Sequence, residues 1–150
     1  MLAVLNDTQK LIVDLESVLN DVIDSGEIPA VDCPIKHHLC NGLYAREIFI
    51  PAASVIVGKI HKFEHLNLIS RGIVYVVTEF GNQIYDATLS PVTFKSEAGT
   101  KKAVFAQTDV VWTTFHLTDK TNIEDIENEI VAKDYSEVFS VTYTDIKGSI

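Results

Sequence analysis

Side chains that could bind a ligand are concentrated in residues 51–72 of the sequence. This segment predicts two β-strands, with Lys59 and His61 on one face of the first strand and His65 and Asn67 on one face of the second, because side chains alternate along a strand. Polar side chains on the inner face of a strand indicate a lined cavity rather than a plain core. Ammonium and imidazole groups there could bind an anion, and imidazole nitrogens could bind a metal ion.

A third histidine, His116, lies near the end of a strand that the pattern predicts over residues 110–117. If its side chain points inward, it approaches His61 and His65. Three imidazoles that leave coordination positions open would form a catalytic metal centre, so these histidines are the candidate ligands of a divalent metal. The alternative is that His116 only forms a hydrogen bond at a strand end.

A cationic pocket is the other interpretation of these side chains. Lys59, Lys102 and the histidines would line the mouth of a barrel and bind an anionic small molecule, because lysine pairs with phosphate or carboxylate and imidazole can donate a hydrogen bond. Stacking of a base on an aromatic wall would extend this preference to nucleotides. A solvated Lys102 that merely follows a turn is the simpler alternative.

The aromatic walls of this pocket would be Phe63, Tyr75 and Trp112. The predicted ligand-binding residues are Lys59, His61, His65, Asn67, Tyr75, Lys102 and Trp112, with no resident cofactor on this interpretation.

The rest of the chain predicts the scaffold that positions these side chains. Residues 6–25 predict an N-terminal helix that Asn6 and Gln9 cap. About eight short strands separated by tight turns follow over residues 43–117, which is typical of an antiparallel sandwich or barrel. Residues 122–133 predict a C-terminal amphipathic helix, and residues 134–150 a tail. We expect a single domain, and the amphipathic helices and apolar tail predict a homodimer or another small homo-oligomer.

Composition and charge narrow the class of protein. The chain has 150 residues, 47% of them hydrophobic and 22% charged, which is typical of a globular domain. Its formal net charge of −9 argues against a nucleic-acid duplex or an anionic membrane as the main partner. No secretory signal and no apolar run of membrane-spanning length is evident, so we expect a cytoplasmic location. The 2 cysteines do not indicate a disulfide framework.

The spacing of residues 51–72 resembles the first sequence motif of the cupin superfamily. With Gly72 in the place of the closing glycine of that motif, His65 falls at its glutamate, His61 at its second histidine and Lys59 at its first. Cupins of the metal-binding type hold a divalent ion with three histidines and a glutamate. Lysine at such a position offers no lone pair while it is protonated, so the coordination chemistry is altered here.

The second cupin motif is matched more loosely, with Gly99 as its turn glycine and Lys102 where the motif has a histidine. The resemblance covers residues 43–117. It implies an all-β core, a cupin-like antiparallel double-stranded β-helix or jelly-roll barrel, between the two helices.

The resemblance is closest to the small single-domain cupin-like proteins encoded by tailed bacteriophages, through the segments YAREIFIPA, GKIHKFEHLNLISRG, SEAGTKKAVFA and DVVWTTFH. It implies a protein of the infected bacterial cytoplasm, with virion association as an option. Three functions are open at this point. They are binding of an anionic small molecule, for instance to sequester a host signalling nucleotide; metal-dependent catalysis by His61, His65 and His116; and a structural or accessory role in the virion.

Overall fold

Alternating apolar and polar residues organise the middle of the chain into antiparallel strands, with a helix before and a helix after them. The computed structural model describes residues 5–138. Helix α1 is Asp7–Asp24 and helix α2 is Ile123–Ile130. The strands are β1 Ile35–Cys40, β2 Leu43–Ile50, β3 Ser54–Val57, β4 Ile60–His61, β5 His65–Arg71, β6 Ile73–Thr78, β7 Gly81–Asp86, β8 Val92–Ser96, β9 Ala103–Ala106, β10 Val110–Leu117 and β11 Val131–Ala132.

Two antiparallel sheets share one core. The strand order is β1-β2-β10-β5-β8 in the five-stranded sheet and β3-β9-β6-β7 in the four-stranded sheet. Ile50 and Ile69 of the first sheet pack with Val74 and Val104 of the second, and all four side chains are buried. This arrangement confirms the predicted antiparallel all-β core with flanking helices.

Helix α1 packs on the barrel of its own chain. The Asn6 side chain accepts a hydrogen bond from the Gln9 N–H, and the Gln9 side chain accepts one from the Asn6 N–H, both at 2.9 Å. This is the predicted capping box. Gln9 also donates to Glu79 Oε2 at 2.7 Å, and Ile12 is buried, so the apolar stripe of the helix faces the sheet.

Helix α2 and strand β11 close one end of the barrel. Asn122 caps the helix by accepting hydrogen bonds from two backbone N–H groups, and Ile126 is buried against Tyr44. The sequence predicts a helix to residue 133, but the backbone is already extended at Val131, which pairs with His61 in the register of β11 and β4. The early end of the helix therefore holds the strand that carries His61.

The sheet begins earlier in the chain than the predicted boundary at residue 43. Strand β1 pairs with β2 along its whole length, from Ile35 opposite Ile48 to Cys40 opposite Leu43. All its residues are exposed, so the burial alternation that reveals most strands is missing. The predicted tail lies partly outside the described residues, which end at 138. Neither helix of the described region has the length and apolar character needed to cross a bilayer.

Candidate functional site

A cavity of about 230 Å³ lies between the two sheets, next to α2 and β11. Both sheets contribute to its walls, and strand β2 contributes alternate side chains from Tyr44 to Ile50. The cavity brings together most of the predicted ligand-binding residues, namely Lys59, His61, Asn67, Lys102 and Trp112.

Three histidine rings gather beside this cavity and are called the histidine cluster: His61 on β4, His65 at the start of β5 and His116 on β10. The ring centroids are 4.5 Å apart for His61 and His65, 4.8 Å for His65 and His116, and 5.2 Å for His61 and His116. The register of β5 against β10 pairs Leu66 with Phe115, which places His65 beside His116. His61 lines the cavity, whereas the other two rings line a neighbouring groove.

The rings of the histidine cluster are neutral at neutral pH, because burial and nearby positive charge oppose protonation. Burial, followed by the neighbouring His65 and Lys102, lowers the pKa of His61 to about 2. Burial and then Lys102 lower the pKa of His65 to about 4. Burial, followed by His65, lowers the pKa of His116 to about 3.

The hydrogen bonds of the cluster leave two ring nitrogens free. His65 Nδ1 donates to the Phe63 carbonyl oxygen at 3.2 Å, so the lone pair of that ring lies on Nε2. Within residues 5–138, neither His65 Nε2 nor His61 Nδ1 has a hydrogen-bond partner. These nitrogens are therefore buried polar atoms whose hydrogen-bonding capacity the described residues leave unsatisfied.

The histidine cluster does not fit a metal centre, although its rings are close together. A zinc site needs nitrogen, oxygen or sulfur donors that converge on one point at about 2.0–2.3 Å. In the described part of the chain, no group of three or more His, Cys, Asp or Glu side chains is arranged in this way. His116 Nε2 is also engaged with Thr114 Oγ1 at 2.9 Å, and the Lys102 ammonium repels a cation.

Positive side chains outnumber negative ones in the lining of the cavity, and Lys102 is the buried cation among them. Lys102 is only 8% exposed, so the alternative of a solvated side chain is wrong. Arg46 and Lys59 line the same cavity, and Glu127 contributes a carboxylate to its lining. Among the described residues, none of the three cations has an ion pair or a side-chain hydrogen bond. Burial lowers the pKa of Lys102 to about 8, so the group is still mostly charged at neutral pH.

The neighbouring Lys101 shows the usual way to compensate such a charge. Its exposed fraction is 7%, nearly the same as that of Lys102. Its Nζ lies 3.0 Å from Glu16 Oε2 on α1 and forms a salt bridge with it. Two adjacent lysines are therefore equally buried, but only the one outside the cavity has a counter-charge from the protein.

Asn67 positions Trp112 rather than offering its own amide to a ligand. The Trp112 Nε1–H donates to Asn67 Oδ1 at 3.0 Å. The Asn67 Nδ2 group donates to Ser96 Oγ at 2.8 Å and to the Phe94 carbonyl oxygen at 3.3 Å. Asn67 is 0% exposed, so these internal bonds satisfy its side chain and fix the indole as one wall of the cavity.

We expect Trp112→Phe to lower the free energy of unfolding by about 1–3 kcal/mol, because it leaves the buried Asn67 Oδ1 without a donor. Urea unfolding followed by circular dichroism measures this loss. Tyr75→Phe is the control, since it removes the Tyr75 hydroxyl that donates to Gln107 Oε1 at an exposed site, and it should change stability by less than about 0.5 kcal/mol. Equal losses in the two variants would contradict the structural role of Asn67.

The predicted aromatic walls and the predicted cations of the site need correction. Phe63 is 48% exposed and lines the neighbouring groove rather than the cavity. Tyr75 is 38% exposed on the outer face of β6 and packs against Phe105, so it is not a wall of the cavity. Arg46 lines the cavity but was not predicted. The two-residue period of the strand already places it on one face with Tyr44 and Ile48, and that period is the signal that would have found it.

Comparisons with known proteins identify the fold. No family model matches the chain, and no curated protein sequence matches it. Among solved structures, a cupin domain from Bordetella pertussis matches with a TM-score of 0.48 and 14% identity, over 61% of this chain and 98% of that one. A salicylate 1,2-dioxygenase from Pseudaminobacter salicylatoxidans matches with a TM-score of 0.52 and 11% identity, over 78% of this chain and 35% of the dioxygenase.

The strand order and the cavity between the two sheets define an antiparallel β-barrel protein with flanking helices. More particularly, the chain has a cupin-like β-barrel fold, in agreement with the resemblance of its central motif. Sequence identities this low establish a fold and not an activity. The chain spans only 35% of the length of the dioxygenase, and the resemblance to phage-encoded proteins stays a prediction from the sequence.

Proposed function

We propose that this protein binds a small anionic molecule in the cavity between its two sheets. The observation that carries the proposal is Lys102, whose side chain is 8% exposed, lines the cavity and has no ion pair within residues 5–138. A buried ammonium without a counter-charge costs several kcal/mol. An anion that enters supplies the missing charge, and Arg46 and Lys59 offer further charge-assisted hydrogen bonds.

The size and the walls of the cavity favour a short organic acid over a nucleotide. Its volume of about 230 Å³ is smaller than the roughly 300–1,000 Å³ of cavities that take drug-sized ligands. Ile48, Ile56, Val104 and Trp112 make much of the wall apolar. A carboxylate on a short carbon chain matches both the positive charge and the apolar surface, so we narrow the predicted anionic ligand to small carboxylic acids.

Trp112 provides the measurement, because it lines the cavity and is the 1 tryptophan of the chain. We expect propionate to change the tryptophan fluorescence of the wild-type protein saturably. Lys102→Gln should weaken this binding at least about tenfold, or about 1.4 kcal/mol, because it removes a buried charge-assisted hydrogen bond.

Lys36→Gln is the matched control for that titration. Lys36 is also a lysine, but its side chain is 76% exposed and lies outside the cavity, so its replacement should leave the Kd of propionate unchanged. Propylammonium, a cation of similar size, should not bind. Equal propionate affinity in Lys102→Gln and in the wild-type protein would contradict the proposal.

Metal-dependent catalysis is not proposed, because the donor arrangement of His61, His65 and His116 does not fit a metal ion. Self-association and a role in a virion stay predictions from the sequence, and no described contact bears on them.

A further inference from the structure

Lys102 combines the properties of a lysine nucleophile. Its side chain is 8% exposed, it faces a cavity, and no carboxylate of the described residues pairs with it. The histidine cluster is close enough that the Lys102 charge lowers the pKa of each of its rings. Neutral imidazoles beside an amine can accept hydrogen bonds from it. The cavity therefore contains a buried amine without a counter-charge from the described residues, with neutral rings near it.

We infer that the Lys102 amine forms an imine with the carbonyl carbon of a small 2-oxo acid held in the cavity. The inference rests on the proposed anion binding and names the ligand more closely, as a carboxylate with an adjacent carbonyl group. Arg46 and Lys59 remain to pair with the carboxylate while Lys102 meets the carbonyl. The cavity of about 230 Å³ has room for an acid of a few carbon atoms.

Imine formation here needs no oxidant, reductant or additional reactant. The lone pair of the neutral Lys102 Nζ attacks the carbonyl carbon, so that a C–N bond forms and the π electrons of the carbonyl move to its oxygen. The nitrogen then loses one proton and that oxygen gains one, in exchange with water. The hydroxyl group then leaves with the remaining nitrogen proton as water, and a C=N bond results.

Burial favours this reaction at Lys102 over other lysines. It lowers the pKa of Lys102 from 10.5 to about 8, which raises the neutral fraction of the amine near neutral pH by about two orders of magnitude. The adjacent Lys101 is just as buried, but its Nζ is bonded to Glu16 Oε2 and it does not line the cavity. Lys101 is therefore an internal control in the same protein.

Reduction with sodium borohydride in the presence of pyruvate tests the inference on the full chain, because hydride converts an imine into a stable secondary amine. We expect peptide mass spectrometry to find one carboxyethyl group on Lys102 and none on Lys101. Omission of pyruvate should abolish the label. Excess propionate, which has the carboxylate but no 2-oxo group, should lower the yield several-fold, and so should Arg46→Gln.

Propionate binding, measured by Trp112 fluorescence, separates this inference from the proposal on which it rests. If propionate binds but Lys102 is not labelled, the imine is overturned and the anion site stands. If propionate does not bind and Lys102 is not labelled, both are overturned. Equal labelling of Lys102 and the exposed Lys36 shows unselective reaction and also overturns the imine. Labelling is mapped on wild-type protein, so the result does not depend on whether a Lys102 variant folds.

Discussion

The free energy of unfolding is expected to fall by about 4 kcal/mol between about pH 7 and pH 5, because unfolding allows the histidine cluster to take up protons. In the folded chain the pKa values of His61, His65 and His116 are about 2, 4 and 3, whereas the pKa of an unfolded histidine is about 6.5. From about pH 6.5 down to about pH 4 the unfolded chain therefore binds more protons, and stability falls as the pH falls. Three rings that stay neutral in the folded chain and become fully exposed on unfolding would give about 6 kcal/mol. The smaller value is expected because the His61 residue is only half-buried in the folded chain.

Urea unfolding at a series of pH values, followed by circular dichroism, measures this slope. His116→Gln removes one of the three rings and should reduce the slope by about one third. His38→Gln is the control, because the His38 side chain is 53% exposed and lies outside the cluster. An unchanged slope in His116→Gln would show that the cluster takes up protons without unfolding, and the neutral state assigned to its rings would then be wrong.

The two-residue alternation of side chains along a strand predicts which face most of the side chains of the site occupy. His61, His65 and Trp112 each lie on the inner face that alternation gives them, because a strand leaves only two directions for a side chain. Asn67 was also placed on that face, but its internal hydrogen bonds could not be foreseen. They depend on Ser96 and Trp112, which are distant in the sequence and are brought next to it only by the sheet order.

Tyr75 shows where the period gives no answer. Strand β6 consists of apolar residues on both faces for most of its length, so alternation cannot tell which face is buried. Pairing with β9 and β7 decides which face is buried. The exposed fractions of Val74 and Val76 are 0% and 3%, whereas Tyr75 points outward. The same limit applies to β1, an exposed edge strand without any burial contrast.

The state of the two adjacent lysines also depends on distant contacts. Lys101 and Lys102 follow the same turn, and nothing in their local sequence distinguishes them. Packing of α1 on the barrel brings Glu16, which precedes Lys101 by 85 positions, to one lysine and not to the other. The sequence therefore predicts Lys102 as a ligand-binding residue, but it does not predict that the charge of Lys102 is buried and unpaired.

Lys102→Met is expected to raise the free energy of unfolding of the ligand-free protein by about 2–3 kcal/mol at neutral pH. The folded pKa of Lys102 is about 8 and its ordinary value is 10.5, a difference that corresponds to about 3 kcal/mol of unfavourable burial of the charge. Methionine has a similar length and no charge, so it removes this cost. Between about pH 8 and pH 10.5 the unfolded chain binds more protons than the folded chain, so wild-type stability rises with pH and the advantage of the variant shrinks.

Urea unfolding of both proteins at neutral and alkaline pH measures the difference, and Lys101→Met is the matched control. That substitution breaks the salt bridge with Glu16 and should destabilise the protein by about 1 kcal/mol, the opposite sign, because the Glu16 side chain is 36% exposed and loses a partner. Propionate should stabilise the wild-type protein and have little effect on Lys102→Met, since a ligand stabilises only a state that binds it. A Lys102→Met variant that is less stable than the wild-type protein at every pH would mean that the ammonium is solvated or paired, and the unpaired charge from which the anion site is argued would be lost.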